Sequence, residues 1–232
     1  MALKKQDWKN YTIEFLSVFI AVISAFALNN WNDNRRDNNA EEKILAEILN
    51  GLEKDAEDVN VNIDGHKQGI KACQYWRNIV MDQEVKKDSL TRYYFMITRD
   101  LISIQNTSGY ETLKSRGFEL IKNDSLRSDI ISLYEYDYQM LRKLEEEYPE
   151  SQLHASYYEN FNKSIAPNFE FDEEGNLIDI KLPLEITTAD HKILLSNLWR
   201  IEVNRRFILA IYEQVQQNID NLVTRINSEL DN

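Results

Sequence analysis

Hydrophobic and polar positions along this chain repeat with helical periods, and the longest such pattern begins near the N-terminus. Phe15 to Leu28 (FLSVFIAVISAFAL) is a run of fourteen residues without a charge. As a helix that run reaches only about 21 Å, short of the roughly 30 Å hydrocarbon core of a bilayer. Drawn from Tyr11 to Trp31 the helix has 21 residues and a length of about 31 Å, with an aromatic at each end. Tyr and Trp favour the lipid–water boundary, so the pattern predicts a single transmembrane helix over that stretch.

Within it Glu14, Ser17, Ala21 and Ser24 recur at three- and four-residue spacing, with Ala25 beside them. Small residues at that spacing let helices approach closely in lipid, and hydroxyls can bond across the contact. An ionisable group in a span marks a functional site unless it lies close enough to the boundary to reach water, as Glu14 does. The stripe therefore predicts self-association or packing against a membrane partner, and less directly an ion or proton path through Glu14.

The same heptad register continues through Leu28, Trp31, Arg35, Asn38 and Glu42 into Leu45, Leu49, Leu52, Ala56, Val59, Ile63, His66, Ile70, Cys73, Arg77 and Val80. A period of 3.5 over such a length predicts one helix running from the membrane far into the following domain. Gly65 and Gly69 predict a kink near Asp64–Gly69. Further on, Asp88-Ser89 predicts a cap for a second helix with Leu90, Tyr94, Ile97, Leu101 and Ile104 on one face. Ser108-x-x-Glu111 reads as a capping box opening a short helix that ends at Gly117. Asn123-Asp124 caps a helix with Leu126, Ile130, Leu133, Leu141 and Leu144 inward, which Pro149 ends. Residues 150–164 are predicted helical. Pro167, Gly175-Asn176 and Pro183 punctuate short alternating runs, so 166–187 is expected to be a small hairpin or ordered loop. Thr188 is expected to cap a helix reaching the C-terminus, with a break near Asn197. Its positions Ile208, Tyr212, Val215, Ile219, Leu222 and Ile226 make it the natural antiparallel partner of Leu45–Val80. The predicted fold is mainly α: a membrane anchor with its flanks over 1–36 and an extramembrane helical bundle over 37–232.

Composition sharpens this. Gly (6) and Pro (3) are scarce among 232 residues, which favours few and long helices. The net charge is −12, but residues 1–36 hold five basic and three acidic residues, so the remainder carries −14. A domain that acidic repels phosphate backbones, which argues against nucleic acid as a partner. A single cysteine, Cys73, excludes an intramolecular disulfide.

Two other readings of the first helix compete with a span. A cleaved leader would use Ala25-Phe26-Ala27 as its cleavage site, though Asp7 and Glu14 sit poorly in its basic region. The other is a buried or interfacial helix. Orientation is balanced between Lys4, Lys5 and Lys9 on one side and Arg35, Arg36 and Lys43 on the other. A short basic leader before a long domain favours an inside N-terminus with the domain outside.

Glu14, then Ala27-Leu28-Asn29-Asn30-Trp31-Asn32 and Glu41-Glu42-Lys43-Ile44-Leu45, resembles the start of a large family of uncharacterised bacterial single-pass membrane proteins. Its members show an early glutamate in the span, small residues along it and an NNWN exit. Gly109-Tyr110-Glu111-Thr112-Leu113-Lys114-Ser115-Arg116-Gly117, with Leu120-Ile121-Lys122-Asn123 and Leu126-Arg127, is similar to the family's second signature. The resemblance implies a protein of the inner membrane of Gram-negative bacteria and no activity, because the family is a domain of unknown function.

Catalytic patterns are missing. His66, His154 and His191 are scattered, with no HExxH, CxxC or phosphate loop, so neither an enzyme nor a cofactor is expected. His66 on the apolar seam reads as a hydrogen-bonded core histidine, and Arg77 as the partner of a carboxylate from a neighbouring helix. Asp190-His191 reads as part of a helix cap. Glu145-Glu146-Glu147 and Asp172-Glu173-Glu174 read as solvated surface. Tyr134, Tyr136, Tyr138 and Tyr157-Tyr158 read as core, or else as the lining of a groove. The leading expectation is a membrane-anchored interaction module that forms homo-oligomers or binds a membrane protein. The alternatives are a small-molecule sensor and an accessory subunit of an ion-driven transporter or motor with Glu14 titrating.

Overall fold

One helix, α1 (Lys5–Val80), runs 76 residues from the apolar N-terminal stretch into the bundle, about 114 Å at 1.5 Å per residue. The computed structural model describes residues 5–231, and of residues 5–7, 9 and 10 the backbone alone. Lys4 and the side chains of Lys5, Asp7 and Lys9 therefore lie outside the described residues, as does Asn232. No proline interrupts α1, and it is continuous through Asp64–Gly69, where a kink was expected.

Short elements then drape over α1 and return. They are α2 (Leu90–Ile97), α3 (Ser108–Arg116), α4 (Asp124–Ser132), a π-helical turn (Leu133–Asp137), α5 (Tyr138–Glu146) and α6 (Leu153–Ile165). A hairpin follows, β1 (Phe169–Phe171) antiparallel to β2 (Leu177–Ile180), with Phe169 opposite Ile180. The chain ends in α7 (Thr188–Leu230), 43 residues without a break at Asn197. α7 lies antiparallel along α1: Arg77 meets Glu202, and Lys67 meets Glu213 at 3.2 Å.

Helix ends follow local chemistry, with some corrections. The Asn123 side chain accepts from Leu126 N at 3.1 Å as expected, and Gly117 ends α3 with φ +103°. No capping box forms at Ser108, because Thr107 is the N-cap and its side chain makes no cap bond. The cap of α7 is Thr187 rather than Thr188, its hydroxyl accepting from Asp190 N at 3.1 Å. α2 stops at Ile97, so Leu101 and Ile104 are not on its face; Ile104 is exposed in the strap 98–107 that joins α2 to α3.

Burial defines the seam of α1 more finely than apolarity does. Its buried positions include Glu41, Leu45, Ile48, Leu52, Asp55, Val59, Asn62, His66, Gly69, Cys73, Trp76 and Val80, an alternation of four and three. Half of these coincide with the apolar register read from the sequence. The others lie one residue earlier, because the apolar reading skipped Asp55, Asn62 and Gly69. Arg77 is thereby a flank position, and Trp76 takes the centre.

Two apolar cores stack along the α1–α7 pair. The lower one, nearer Trp31, joins Ile44–Ile63 of α1 to α3, α4, the π turn and Ile208–Ile226 of α7. The upper one joins Ala72–Val80 to α2, α6, β2 and Leu194–Ile201. α3 approaches so closely that a Cβ on Gly109 would lie 2.8 Å from the backbone nitrogen of Ile48. Ala is the better helix former by about 0.5–1 kcal/mol, but pushing two helices apart costs about 1–3 kcal/mol. Gly109→Ala is therefore expected to be net destabilising, read as a lower urea midpoint at unchanged slope.

Candidate functional site

Two regions of the molecule are chemically unusual, and the first is the exposed lower part of α1. It contains an 18-residue window of mean hydropathy 2.0, none of it buried. Every residue from Tyr11 to Asn32 is exposed, and among the residues of α1 whose side chains are described the first buried one is Glu41. At about 100° per residue, Glu14, Ser17, Ala21, Ser24 and Ala25 fall within an arc of about 100°. Ser17 Oγ donates back to the Glu14 carbonyl at 2.8 Å, which satisfies that hydroxyl within its own helix. Phe15, Phe19 and Phe26 occupy the opposite face, the first two stacked at 6.0 Å. The exit motif is exposed as well. Asn29 donates to Asp33 at 3.1 Å, and the Arg35 guanidinium lies 5.8 Å from the Trp31 ring centre. Asn30 and Asn32 face solvent beside them. From Asn29 to Asn39 the helix is polar on all sides except Trp31, a stalk of about 16 Å between the apolar window and the bundle.

The second region is a polar layer where the two cores meet. Arg205 of α7 is 1% exposed and rests over Gly69 of α1, where any side chain would collide with the guanidinium. Its Nη2 lies 2.9, 3.0 and 2.8 Å from the carbonyl oxygens of Met96, Ile97 and Arg99. The first two are carbonyls of the last turn of α2 and the third belongs to the strap just beyond it, so the cation also meets the negative end of the helix dipole. Burial lowers the pKa of Arg205 to about 10, still well above neutrality, so it stays charged. Its Nη1 lies 3.4 Å from Nδ1 of His66. Because the guanidinium can only donate, Nδ1 accepts and the imidazole proton sits on Nε2. Burial, reinforced by Arg205, lowers the pKa of His66 to about 3, so this histidine is neutral. Burial pushes the Cys73 thiol, in the same layer, up to about 12.

Below this layer one buried carboxylate, Asp55, and two half-buried ones, Asp58 and Glu145, hold the strap. Asp55 Oδ1 accepts from Asn106 N at 2.8 Å, and Oδ2 from Tyr138 Oη at 2.7 Å. Asp58 accepts from Ile104 N at 3.0 Å. Glu145 accepts from Ser103 N at 3.3 Å and from Tyr212 Oη of α7. Burial raises the pKa of Asp55 in spite of its hydrogen bonds, and burial raises that of Glu145 to about 7. Glu145 is thus structural, whereas the sequence placed it with Glu146 and Glu147 on a solvated surface.

Arg77 pairs with Glu202, which Arg206 also contacts at 2.7 Å. Burial opposes the Glu202 charge, and the guanidiniums of Arg206 and Arg77 outweigh it, leaving its pKa lowered. Tyr134, Tyr138 and Tyr157 are buried, while Tyr136 is 65% exposed. A groove of about 480 Å³ runs along one face of the π turn and α5, lined by Tyr136, Met140, Leu144 and Tyr148. It is an open helix face. Among the described residues no three His, Cys, Asp or Glu side chains are placed to hold a metal ion.

Sequence reasoning missed Arg205, Asp55, Asp58 and Glu145. One signal was available: Arg205 falls in the gap between Leu198–Ile201 and Ile208, on the line of the α7 heptad, where an exposed residue has no place.

The fold and these features define a class: a helical bundle carried on a long N-terminal helix, one stretch of which is long and apolar enough to cross a membrane. Within that class the chain stands apart, because no family model, curated protein or solved structure matches it.

Replacing Arg205 by an apolar residue would leave the α2 carbonyls and His66 without their donor. Arg205→Met is expected to cost about 2–4 kcal/mol. Urea unfolding measures the loss, and hydrogen exchange should localise it to Tyr94–Arg99.

Proposed function

We propose that this protein is a non-enzymatic, single-pass protein of a bacterial inner membrane that self-associates or binds a membrane partner through the stripe of its N-terminal helix. Such a location follows the family resembled by its NNWN exit and its second signature. The N-terminus then lies in the cytoplasm and the acidic domain in the periplasm. The observation that carries the reading is the continuity of α1. An uncovered apolar helix joins a packed bundle with no loop between, so a contact made in the membrane is held in fixed register with the domain. Its two faces differ in kind, with small and polar side chains on one and phenylalanines on the other. In lipid the small face permits close helix approach, while bulky apolar side chains are at home against acyl tails.

Ser17→Cys, Ala21→Cys and Ser24→Cys, each in a Cys73→Ser background and in native membranes, test this. Crosslinks to a second copy or to another membrane protein are expected at these three positions and not at the control Phe19→Cys. Equal yields at all four, or none at any, would overturn the assignment of the interface.

A further inference from the structure

The end of the bundle farthest from Trp31 is built differently from the rest. α1 stops at Val80, about 74 Å along the helix axis from Trp31. Segment 82–86 follows α1 and segment 181–187 precedes α7, both outside regular helix and sheet. In the second, Leu182, Leu184 and Ile186 are half-buried and alternate with exposed Pro183, Glu185 and Thr187, the period of a strand that has no neighbour. Lys181 N donates to the Asn168 carbonyl and Glu185 N to the Asn168 side chain, both at 2.7 Å, whereas the amides of Leu184 and Ile186 meet no acceptor among the described residues. Two hollows, of about 330 and 340 Å³, open between these segments and the end of α1. Val85 and Leu182 wall the first, and Val80, Leu184 and Ile186 the second; Ile79 and Asp82 border both.

Asp82 suits the fold poorly. The Gln83 amide bonds to the Asn78 carbonyl at 2.8 Å and the Asp82 amide to that of Ile79 at 3.0 Å. That pattern puts residue 82 in the left-handed region, where glycine is the usual choice. Asp82 has φ +54° and is the one non-glycine residue with positive φ among the described residues. Its carboxylate also lies at the negative end of a 76-residue helix, where a cation would be favoured. Neither Asp82 nor Glu84, which borders the first hollow, forms an ion pair within 4.0 Å among the described residues. Stability gives no reason for an aspartate here, and residues that break a local rule mark functional positions.

The surroundings carry the same sign. Residues 82–88 and 169–192 hold ten acidic residues and four lysines, a net −6 that is half the charge of the whole chain. Two of those lysines are already engaged, Lys87 by Asp179 at 2.9 Å and Lys181 by Glu185 at 2.5 Å.

We propose that this end of the bundle docks an extended, basic segment of another protein: an arginine or lysine of that segment pairs with Asp82, and apolar side chains flanking it enter the two hollows. The charge of the surface attracts a cation and selects against acidic partners. The aliphatic walls call for more than charge, and the free amides of Leu184 and Ile186 donate to carbonyls of the incoming backbone, as when a strand is added to an open edge. The surface belongs to the bundle and does not depend on what the apolar part of α1 contacts.

Selection of a random nonapeptide library on the full chain in detergent micelles, with peptides that bind empty micelles removed first, tests this. The enriched peptides are expected to carry an arginine or lysine with apolar neighbours. Asp82→Gly should weaken their binding about tenfold. It should also raise the urea midpoint, because glycine relieves the left-handed turn, which separates lost binding from lost folding. Leu184→Glu, which places a charge in the second hollow, should weaken the same peptides. No enrichment, enrichment of peptides without a basic residue, or equal binding to Asp82→Gly and the native chain would overturn the proposal. Peptides that lose nothing on Leu184→Glu would overturn it too, since the surface would then attract cations without seating a segment.

Discussion

The pairing of α1 with α7 is the contact from which the rest of the molecule hangs. Neither helix could stand alone in water with one side apolar from end to end, and each buries that side against the other. The intervening chain from Val80 to Thr187 fills the flanks of this pair. It supplies small helices whose own apolar faces are too short to stabilise them without the scaffold. Stability of those helices is therefore borrowed from the long pair, and a change at the pair should be felt in all of them.

A polar layer crosses this pair at mid-length and fixes how it is aligned. Arg205 fits only where α1 offers a glycine and where α2 ends with open carbonyls. A slip of one heptad along α7 would drive the guanidinium against a side chain and leave those carbonyls bare, at a cost of several kcal/mol. The apolar cores above and below would tolerate such a slip more easily, since one aliphatic layer resembles the next. Buried charge thus supplies register where hydrophobic contact supplies adhesion, which is the best-attested use of polar groups in a helical seam.

The same economy of partners governs the strap. A segment outside regular structure has to satisfy its amides, and carboxylates are strong acceptors for that purpose. Three of them meet it here, from α1 and α5, so the strap is tied to both helices at once.

Much of the architecture was legible from periodicity. The apolar stretch of α1, its continuation to Val80, the α4 cap at Asn123, the hairpin near 166–187 and the α7 heptad all read directly, because each is a local pattern along one element. Spacing also showed that Glu14, Ser17, Ala21, Ser24 and Ala25 share a face, since a helix makes that a matter of arithmetic. The buried and half-buried polar groups were not legible. Asp55, Asp58, Glu145 and Arg205 have charged side chains in helices, and nothing local distinguishes them from solvated neighbours such as Glu53 or Arg206. Their burial is a property of what lies opposite, and what lies opposite is 42 to 109 residues away in the chain. The sequence by itself determined where most of the helices run and, to within a residue, which face of each is apolar. Only the tertiary structure decided which charges are taken out of water, because desolvation depends on neighbours that folding alone brings together.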